Sequence, residues 1–241
     1  FMDLPMDYLI GLALVSTCPG GTASNVVCFI ARSNVALSVS LTTCSTFLAV
    51  LMTPVLTTLV VESLSRDLFG ESIEVDTLGL LASTFKVVIL PVSIGLMLNH
   101  YFSNLVKKIN AYTPLLAVLS IVFIVDYILA AKKEAIIETG WPLITAVVVL
   151  HIAGFFWGYA LSKWLQFEEE DARTVSIEVG MQNSGLATEL ARTNFPAFAL
   201  ATVPGAISAL THCILGSLVA GMCRLAVVKE KKPGVQPQPR L

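Results

Sequence analysis

One carboxylate in this sequence stands inside an apolar segment and is surrounded by neutral oxygen groups. Glu178 lies in the middle of SIEVGMQNSG, and Gln182 follows it by four residues, so the two side chains share a helix face. A carboxylate at the centre of a membrane costs several kcal/mol unless it is protonated, paired or bound to a metal ion. The flanking sequence offers oxygens but no obvious cationic partner, which favours a hard cation, with sodium the first choice. These neutral oxygens belong to Thr22, Ser24, Asn25, Gln182, Asn183 and Ser184.

Two hydroxyls on a neighbouring apolar segment are candidates for the same site. Ser38 and Thr42 are four residues apart, so both project from one helix face. The alternative is that each bonds a carbonyl of its own helix, as serine and threonine often do in membranes. For His212, packing between helices and contact with a bound substrate both stay open. His151 and His100 are interpreted as structural or interfacial residues.

The composition identifies a lipid bilayer as the environment of these residues. The chain has 241 residues, of which 55% are hydrophobic and 13% charged, and its mean hydropathy is +0.79. Several runs reach the roughly 20 apolar residues that a transmembrane helix needs, and the alternating pattern of a transmembrane barrel is missing. We therefore expect an all-α, multi-pass integral membrane protein. The net charge of -2, without a basic stripe, gives no reason to expect a nucleic-acid partner.

Apolar runs bounded by polar clusters predict seven membrane crossings, two of them discontinuous. The predicted crossings are 4–30, 35–61, 77–98, 113–131, 141–165, 172–190 and 198–228, with breaks in the first and the sixth. Residues 1–228 are thus expected to form a transmembrane domain and residues 229–241 a polar, disordered tail. The amphipathic segment 100–110 is expected at the membrane interface. Ten Lys and Arg residues against four favour a cytoplasmic tail.

The two discontinuous crossings contain a degenerate internal repeat. TASNVVCFIARSN, residues 22–34, aligns without gaps with QNSGLATELARTN, residues 182–194, and shares Ser, Ala, Arg and Asn with it. The second copy comes five crossings after the first, so equivalent segments cross the bilayer in opposite directions. Interrupted helices in corresponding places of inverted repeats point to the binding site of a secondary transporter. The helix ends at each break offer amide groups to an anion and carbonyl groups to a cation.

At these residues the chain resembles the bile acid:sodium symporter family. CPGGTASNVV, NVALSVSLTT, RTVSIEVGMQNSGLA and VPGAISALTHCILGSLVAG are similar to the signature segments of that family. The resemblance implies an inverted-repeat transporter fold of ten helices, with the fourth and ninth unwound and crossing near mid-membrane. It also implies symport of sodium with an organic anion such as a bile acid, pantoate, pyruvate or another keto acid. SIEVGMQNS and HIAGFFWGY look closest to the plastid and cyanobacterial branch, so we expect the plastid envelope of a plant or alga, or otherwise a bacterial plasma membrane.

Carried over residue by residue, the resemblance implies two sodium sites and one substrate site. The first sodium site would consist of Ser24, Asn25, Ser38, Thr42 and Glu178. The second would use Glu178 again, the backbone carbonyls of Val179 and Met181, and the side chain of Gln182. The organic anion would contact Thr22, Asn183 and His212 at the crossing point.

The resemblance begins at the fourth helix of the family fold. We therefore expect seven of the ten helices here, without the first three and without the glutamine that completes the second sodium site. Because alternating access needs both bundles of helices, a truncated, transport-inactive subunit is one alternative function for the chain as written. A proton-coupled carrier of organic anions is another, since a lone buried carboxylate can hold a proton.

An intramembrane hydrolase is disfavoured. Ser24 or Ser184 would be its nucleophile and His212 its base, but neither serine lies in a G-x-S-x-G turn and nothing in the sequence positions the histidine. The chain is not expected to be an enzyme.

Overall fold

The structure, a computed structural model, describes residues 4–70, 73–110 and 112–230, and its regular elements there are α-helices. The helices are α1 (Met6–Thr17), α2 (Ala23–Ala31), α3 (Val35–Phe69), α4 (Thr77–Tyr101), α5 (Ser103–Asn110), α6 (Thr113–Ala131), α7 (Lys133–Thr139), α8 (Trp141–Trp164), α9 (Glu169–Gly180), α10 (Ser184–Asn194) and α11 (Val203–Glu230). The predicted all-α class is confirmed.

The helices assemble into the predicted set of membrane crossings. Within the described ranges, α3, α4, α8 and α11 are long and apolar enough to span a membrane, and α5 with most of α6 forms a fifth candidate bent by 58°. The remaining two crossings are discontinuous: α1 is followed by α2 after five residues, and α9 by α10 after three. The protein is therefore a multi-pass membrane protein with two broken crossings.

The third helix extends well beyond the crossing predicted for it. The apolar run ends at Val61, yet α3 continues to Phe69 and closes on Gly70, which has a φ of +71°. At 1.5 Å per residue its 35 residues span about 50 Å, against a hydrocarbon layer of about 30 Å. The last turns carry Glu62, Arg66 and Asp67, so this end of the helix projects into water or the headgroup region.

Two further boundaries differ from the sequence prediction. The short helix α7 was not predicted, because its seven residues follow α6 directly and carry charges. Helix α11 begins at Val203 rather than at 198, since residues 199–202 form turns, and it continues to Glu230. The polar tail predicted for 229–241 thus starts within a helix, and residues 231–241 lie outside the described part of the chain.

Contacts at the helix ends show that the two broken crossings run in opposite directions. The amide of Asn34, just after α2, donates a hydrogen bond of 2.9 Å to Asp171 at the start of α9. On the opposite side, Asp7 at the start of α1 accepts a hydrogen bond of 3.1 Å from the backbone of Leu200, which follows α10. The end of one crossing therefore meets the start of the other, which is the inverted arrangement predicted from the repeat.

The helices α8 and α9 pack closely because glycines remove side chains from their interface. A Cβ atom on Gly158 would lie 3.0 Å from both the Ser176 Cα and the Val175 carbonyl oxygen, and one on Gly154 would lie 2.9 Å from the Val179 oxygen. These neighbours are backbone atoms, which cannot turn aside as a flexible side chain would. The aromatic and glycine segment GFFWGY, residues 154–159, therefore packs against α9 through its glycines.

We expect Gly158→Ala to destabilise the protein by about 1–3 kcal/mol, because the added methyl group overpacks a backbone contact. Thermal unfolding of the detergent-solubilised protein measures the change. The matched control is Gly95→Ala in α4, where an added Cβ would meet nothing within 4 Å; its effect should be neutral, or stabilising by up to about 1 kcal/mol. Equal unfolding temperatures for the two variants would contradict this account of the α8–α9 contact.

Candidate functional site

The two helix breaks lie against each other and share backbone hydrogen bonds. The Gly21 amide donates to the Met181 carbonyl at 2.7 Å, and the Asn183 amide donates to the Pro19 carbonyl, also at 2.7 Å. Between these two bonds the two unwound segments run antiparallel, with Gly20 opposite Gln182. Because unwound backbone inside a membrane must find partners within the protein, each break satisfies part of the other. The predicted crossing of the two unwound segments is thereby observed.

A buried carboxylate lies beside this crossing and accepts hydrogen bonds from three hydroxyl groups. Oε2 of Glu178 accepts from Ser24 at 2.7 Å and from Ser38 at 2.9 Å, and Oε1 accepts from Thr42. Ser38 also lies 2.7 Å from the Asn25 side-chain oxygen, and Thr42 lies 3.4 Å from it. The five residues expected to form a first sodium site therefore make one contiguous cluster, which we call the carboxylate cluster.

Both hydroxyls of α3 contact Glu178. Ser38 bonds the side chains of Asn25 and Glu178, whereas Thr42 bonds the carbonyl of Ser38 at 3.0 Å as well as Glu178. Four residues of spacing place them on one face of α3, and that face is turned toward α2 and α9. For Thr42 the two expected bonding patterns thus occur together.

Glu178 is a buried carboxylate without a positively charged partner among the described residues. Glu178 is 5% exposed, and no Lys, Arg or His forms an ion pair with it among the described residues. The side chain packs so closely that a Cβ atom on Gly20 would lie 2.5 Å from its Oε1. An ionised carboxylate in such a place needs a cation, because neutral hydroxyls do not compensate its charge.

Gln182, predicted for a second sodium site, has an oxygen without a partner. Its Nε2 donates to the Val179 carbonyl at 2.8 Å, but its Oε1 is buried and accepts no hydrogen bond from the residues that the structure describes. The Met181 carbonyl accepts from Gly21 and the Val179 carbonyl from Gln182, so each oxygen retains one lone pair. The unpaired oxygen, two half-used carbonyls and Glu178 are a donor set that suits a hard cation.

Other metals are a poor match for these residues. Over the part of the chain that the structure describes, no group of three or more His, Cys, Asp or Glu residues is placed to hold a metal ion. The oxygens around Glu178 come from hydroxyl, amide and carbonyl groups, whereas zinc and copper sites use imidazole or thiolate ligands. The cluster therefore fits an alkali or alkaline-earth cation.

The three residues expected to contact an organic anion lie around the crossing, but no hydrogen bond joins their side chains in the described ranges. Thr22 is exposed and follows Gly21 directly. The Asn183 side-chain oxygen accepts from the Leu186 amide at 3.0 Å and so caps α10. His212 is buried, with Nδ1 3.3 Å from the Ser184 hydroxyl.

Sequence reasoning missed a second polar cluster next to His212. His151 is fully buried, with Nδ1 2.9 Å from the Gly180 carbonyl and Nε2 2.8 Å from the Ser208 hydroxyl. Ser208 in turn lies 2.6 Å from Ser184. The available signal was the spacing of Ser208 and His212, which are four residues apart like the hydroxyl pair on α3.

Two cavities border the crossing. One of about 300 Å³ opens beside the carboxylate cluster, with Glu178, Gln182 and Gly20 among its lining residues. The other, of about 110 Å³, lies between α6 and the α10–α11 pair and is bordered by Ser184 and Gly205. The first cavity thus reaches the unwound segments at Gly20 and Gln182, and the second reaches the start of α10 at Ser184 and Gly185.

This fold and site define an all-α membrane protein of the inverted-repeat transporter type, in which two broken helices cross beside the buried carboxylate cluster. Residues 1–139, more than half of the chain, match the model of the Sodium Bile acid symporter family. The chain belongs to this family, and the resemblance seen in the sequence is confirmed.

Similar proteins occur in plants and bacteria. The chain is 45% identical to probable sodium/metabolite cotransporter BASS1, chloroplastic, of Arabidopsis thaliana, over 95% of this chain and 55% of that protein. The rice protein of the same name is 43% identical over 92% of this chain and 53% of its own length. The uncharacterized sodium-dependent transporter YocS of Bacillus subtilis (strain 168) is 38% identical over 91% of this chain and 65% of its own length. The chain thus spans about half the length of the plant relatives, and all three relatives are named as transporters, not as enzymes.

We expect Asn183→Ala to destabilise the protein by about 1 kcal/mol, because the amide of Leu186 loses its cap. The matched variant is Asn183→Ser, which restores a capping oxygen and should recover most of the stability. Thermal unfolding gives the overall effect, and hydrogen exchange at the Leu186 amide reports the cap directly. If both variants behaved like the unmodified protein, the cap would contribute nothing to the stability of α10.

Proposed function

We propose that this protein carries a small organic anion across a membrane together with sodium ions. The observation that carries the proposal is Glu178: a buried carboxylate, surrounded only by neutral oxygens, at the crossing of two unwound helices. A sodium ion supplies the missing positive charge there and accepts the available oxygen ligands. The plant relatives, which are named probable sodium/metabolite cotransporters, support the same function.

The sodium ions are assigned to two adjacent sets of ligands. The first set is the carboxylate cluster of Ser24, Asn25, Ser38, Thr42 and Glu178. The second set is Glu178, the Val179 and Met181 carbonyls and Gln182, whose buried oxygen without a partner is the direct support for it. Because both sets include Glu178, in the last turn of α9 before the second break, binding of sodium stabilises the unwound segment that also faces the substrate.

The anion is assigned to the amide ends of the two half-helices. Helices α2 and α10 both begin at the crossing, so the positive ends of their dipoles point toward the same region. Thr22 and Asn183 stand at these two helix starts and offer a hydroxyl and an amide donor, and His212 adds an imidazole. The Asn183 oxygen is used by the cap, so its NH2 group is the part available to an anion.

The cavity next to this region favours a small substrate. Its volume of about 110 Å³ is well below the roughly 300–1,000 Å³ of sites that enclose drug-sized ligands. An anion of a few carbons, such as a hydroxy or keto acid, fits this space better than a bile acid.

We expect Glu178→Gln to reduce sodium-driven uptake of an organic anion by about tenfold or more, which corresponds to roughly 1.4 kcal/mol. The neutral amide removes the only formal charge that attracts sodium into the cluster. Uptake is measured with the protein reconstituted in liposomes under an imposed sodium gradient. Glu138→Gln in α7, where the carboxylate is exposed, is the matched control and should leave uptake unchanged. A Glu178→Gln protein with unaltered sodium dependence would refute the assignment, and uptake that follows pH but ignores sodium would select a proton-coupled carrier.

We also expect sodium, but not choline, to raise the unfolding temperature, because a ligand that binds the folded state stabilises it by about 2.7 kcal/mol at one hundred times its Kd. In Thr42→Val the cluster loses one oxygen ligand, so the sodium concentration at half-maximal stabilisation should increase by about tenfold, about 1.4 kcal/mol of binding energy. Thr43→Val is the control, since the neighbouring hydroxyl is exposed and bonds its own helix. A shared loss in both variants would mean that the hydroxyls matter only for the helix.

A further inference from the structure

A continuous chain of hydrogen bonds joins the end of α9 to the imidazole at the proposed substrate site. It runs from the Gly180 carbonyl to His151 at 2.9 Å, and from His151 to Ser208 at 2.8 Å. It continues from Ser208 to Ser184 at 2.6 Å and ends at Nδ1 of His212 at 3.3 Å. We call this set the imidazole–hydroxyl chain. All of these side chains are buried.

The carbonyl at one end determines the direction of every hydrogen bond in the imidazole–hydroxyl chain. A carbonyl can only accept, so Nδ1 of His151 must carry its hydrogen. His151 is fully buried and has no carboxylate partner among the described residues, which favours the neutral ring. Its Nε2 then carries a lone pair and accepts the hydrogen of the Ser208 hydroxyl.

The same argument passes through the two hydroxyls to His212. Because Ser208 donates to His151, it has no hydrogen left for Ser184 and must accept from it. Ser184 has then also used its hydrogen, so it accepts from Nδ1 of His212. The imidazole–hydroxyl chain therefore holds His212 as the tautomer with hydrogen on Nδ1 and a lone pair on Nε2.

Nε2 of His212 is open to a ligand. It makes no hydrogen bond to the described residues, and it is not one of the fully buried polar atoms without partners. His212 follows Ala209 by three residues on α11, and Ala209 lines the small cavity together with Ser184. The imidazole of His212 is thus about one helical turn along α11 from a residue that lines the cavity assigned to the anion.

We propose that His151 and Ser208 are positioning residues that fix the tautomer of His212, so that its Nε2 accepts a hydrogen bond from a hydroxyl group of the transported anion. The inference rests on the proposed function and narrows its substrate class to hydroxy acids. A keto oxygen or a second carboxylate at that position would place its own lone pairs against the lone pair of His212 Nε2, and no hydrogen bond could form. A site built to bind a hydroxyl rejects an analogue that lacks it, so we expect a hydroxy acid to be preferred over the keto acid of the same skeleton by about tenfold or more.

The internal repeat independently supports separate roles for the two polar clusters, one for the cation and one for the anion. Ser24 and Ser184 occupy equivalent positions in the two copies. In the first copy Ser24 bonds the same acceptor, Glu178, as two polar side chains spaced four residues apart on the following long helix, and in the second copy Ser184 contacts such a pair directly. The pairs are Ser38 with Thr42 on α3 and Ser208 with His212 on α11. In the first copy the pair serves Glu178 and a cation, and in the second copy imidazoles replace the carboxylate and serve the anion.

The tautomer of His212 can be determined directly by nitrogen-15 NMR, because the whole protein contains only three histidines. The protein is labelled with ¹⁵N-histidine in lipid nanodiscs, and the signals are assigned with His100→Gln and His212→Gln. We expect neutral His212 with its hydrogen on Nδ1. In Ser208→Ala the Ser184 hydroxyl loses its acceptor and turns to donate to His212, so the hydrogen of His212 should move to Nε2. An unmodified protein with the hydrogen on Nε2, or a variant without this exchange, would overturn the inference.

The matched control is Ser162→Ala in α8, where a buried hydroxyl bonds only the Gly158 carbonyl of its own helix at 2.8 Å. This variant should leave the His212 signals and substrate preference unchanged, which separates the tautomer effect from the loss of any buried serine.

The preference between two substrates is a second measurement, and it would not change if Ser208 had only a structural role. Competition between lactate and pyruvate for sodium-driven uptake is measured in liposomes. We expect the unmodified protein to prefer lactate, and Ser208→Ala to lower the lactate-to-pyruvate preference by about tenfold. A preference for pyruvate, or a ratio that Ser208→Ala does not change, would overturn the inference. The NMR measurement needs neither sodium nor transport, so a protein without sodium-driven uptake would count against the proposed function and leave the tautomer to be decided separately.

Discussion

The hydrogen bonds between the two helix breaks are the constraint on which the site depends. In lipid, a helix can be interrupted only where the freed amide and carbonyl groups find other partners. Here each break supplies partners to the other, through the Gly21–Met181 and Asn183–Pro19 bonds. This pairing brings α9 against α2 and α3, so that Glu178 reaches hydroxyls from two other helices. Without it, the carboxylate and its ligands would lie on separate, unconnected elements.

In the proposed symport, the same crossing would separate the charges of the cation and the anion. Helices α1 and α9 end there, so their last carbonyls face the region of Glu178 and attract a cation. Helices α2 and α10 begin there, and their first amides face the region of Asn183 and attract an anion. Opposite charges are thus held close together by fixed dipoles, in a place where neither ion would be stable alone. This proximity gives a direct electrostatic reason for the binding of one species to favour the other.

Sequence reasoning reached the parts of the site that leave a local pattern. Glu178 inside an apolar run, the i, i+4 spacing of Ser38 and Thr42, and glycines that interrupt a crossing are visible without a structure. The link from His151 to Ser208 could not be predicted, because a hydrogen bond between distant residues depends on how α8 and α11 pack. The length of α3 was missed for another reason. The apolar run that predicts a crossing ends at the membrane boundary, whereas the helix continues into water with charged residues.

The pairing of the breaks also has a consequence for biogenesis. Met181 follows Gly21 by 160 residues, so the first break is made long before its partner. At about 5–20 residues per second, ribosomal synthesis needs roughly 10–30 seconds to reach it. During this interval the first unwound segment has to be hydrated or shielded by the insertion machinery, since lipid alone offers it no partners. The backbone hydrogen bonds that pair the first broken crossing with the sixth can therefore form only when the sixth has been synthesised.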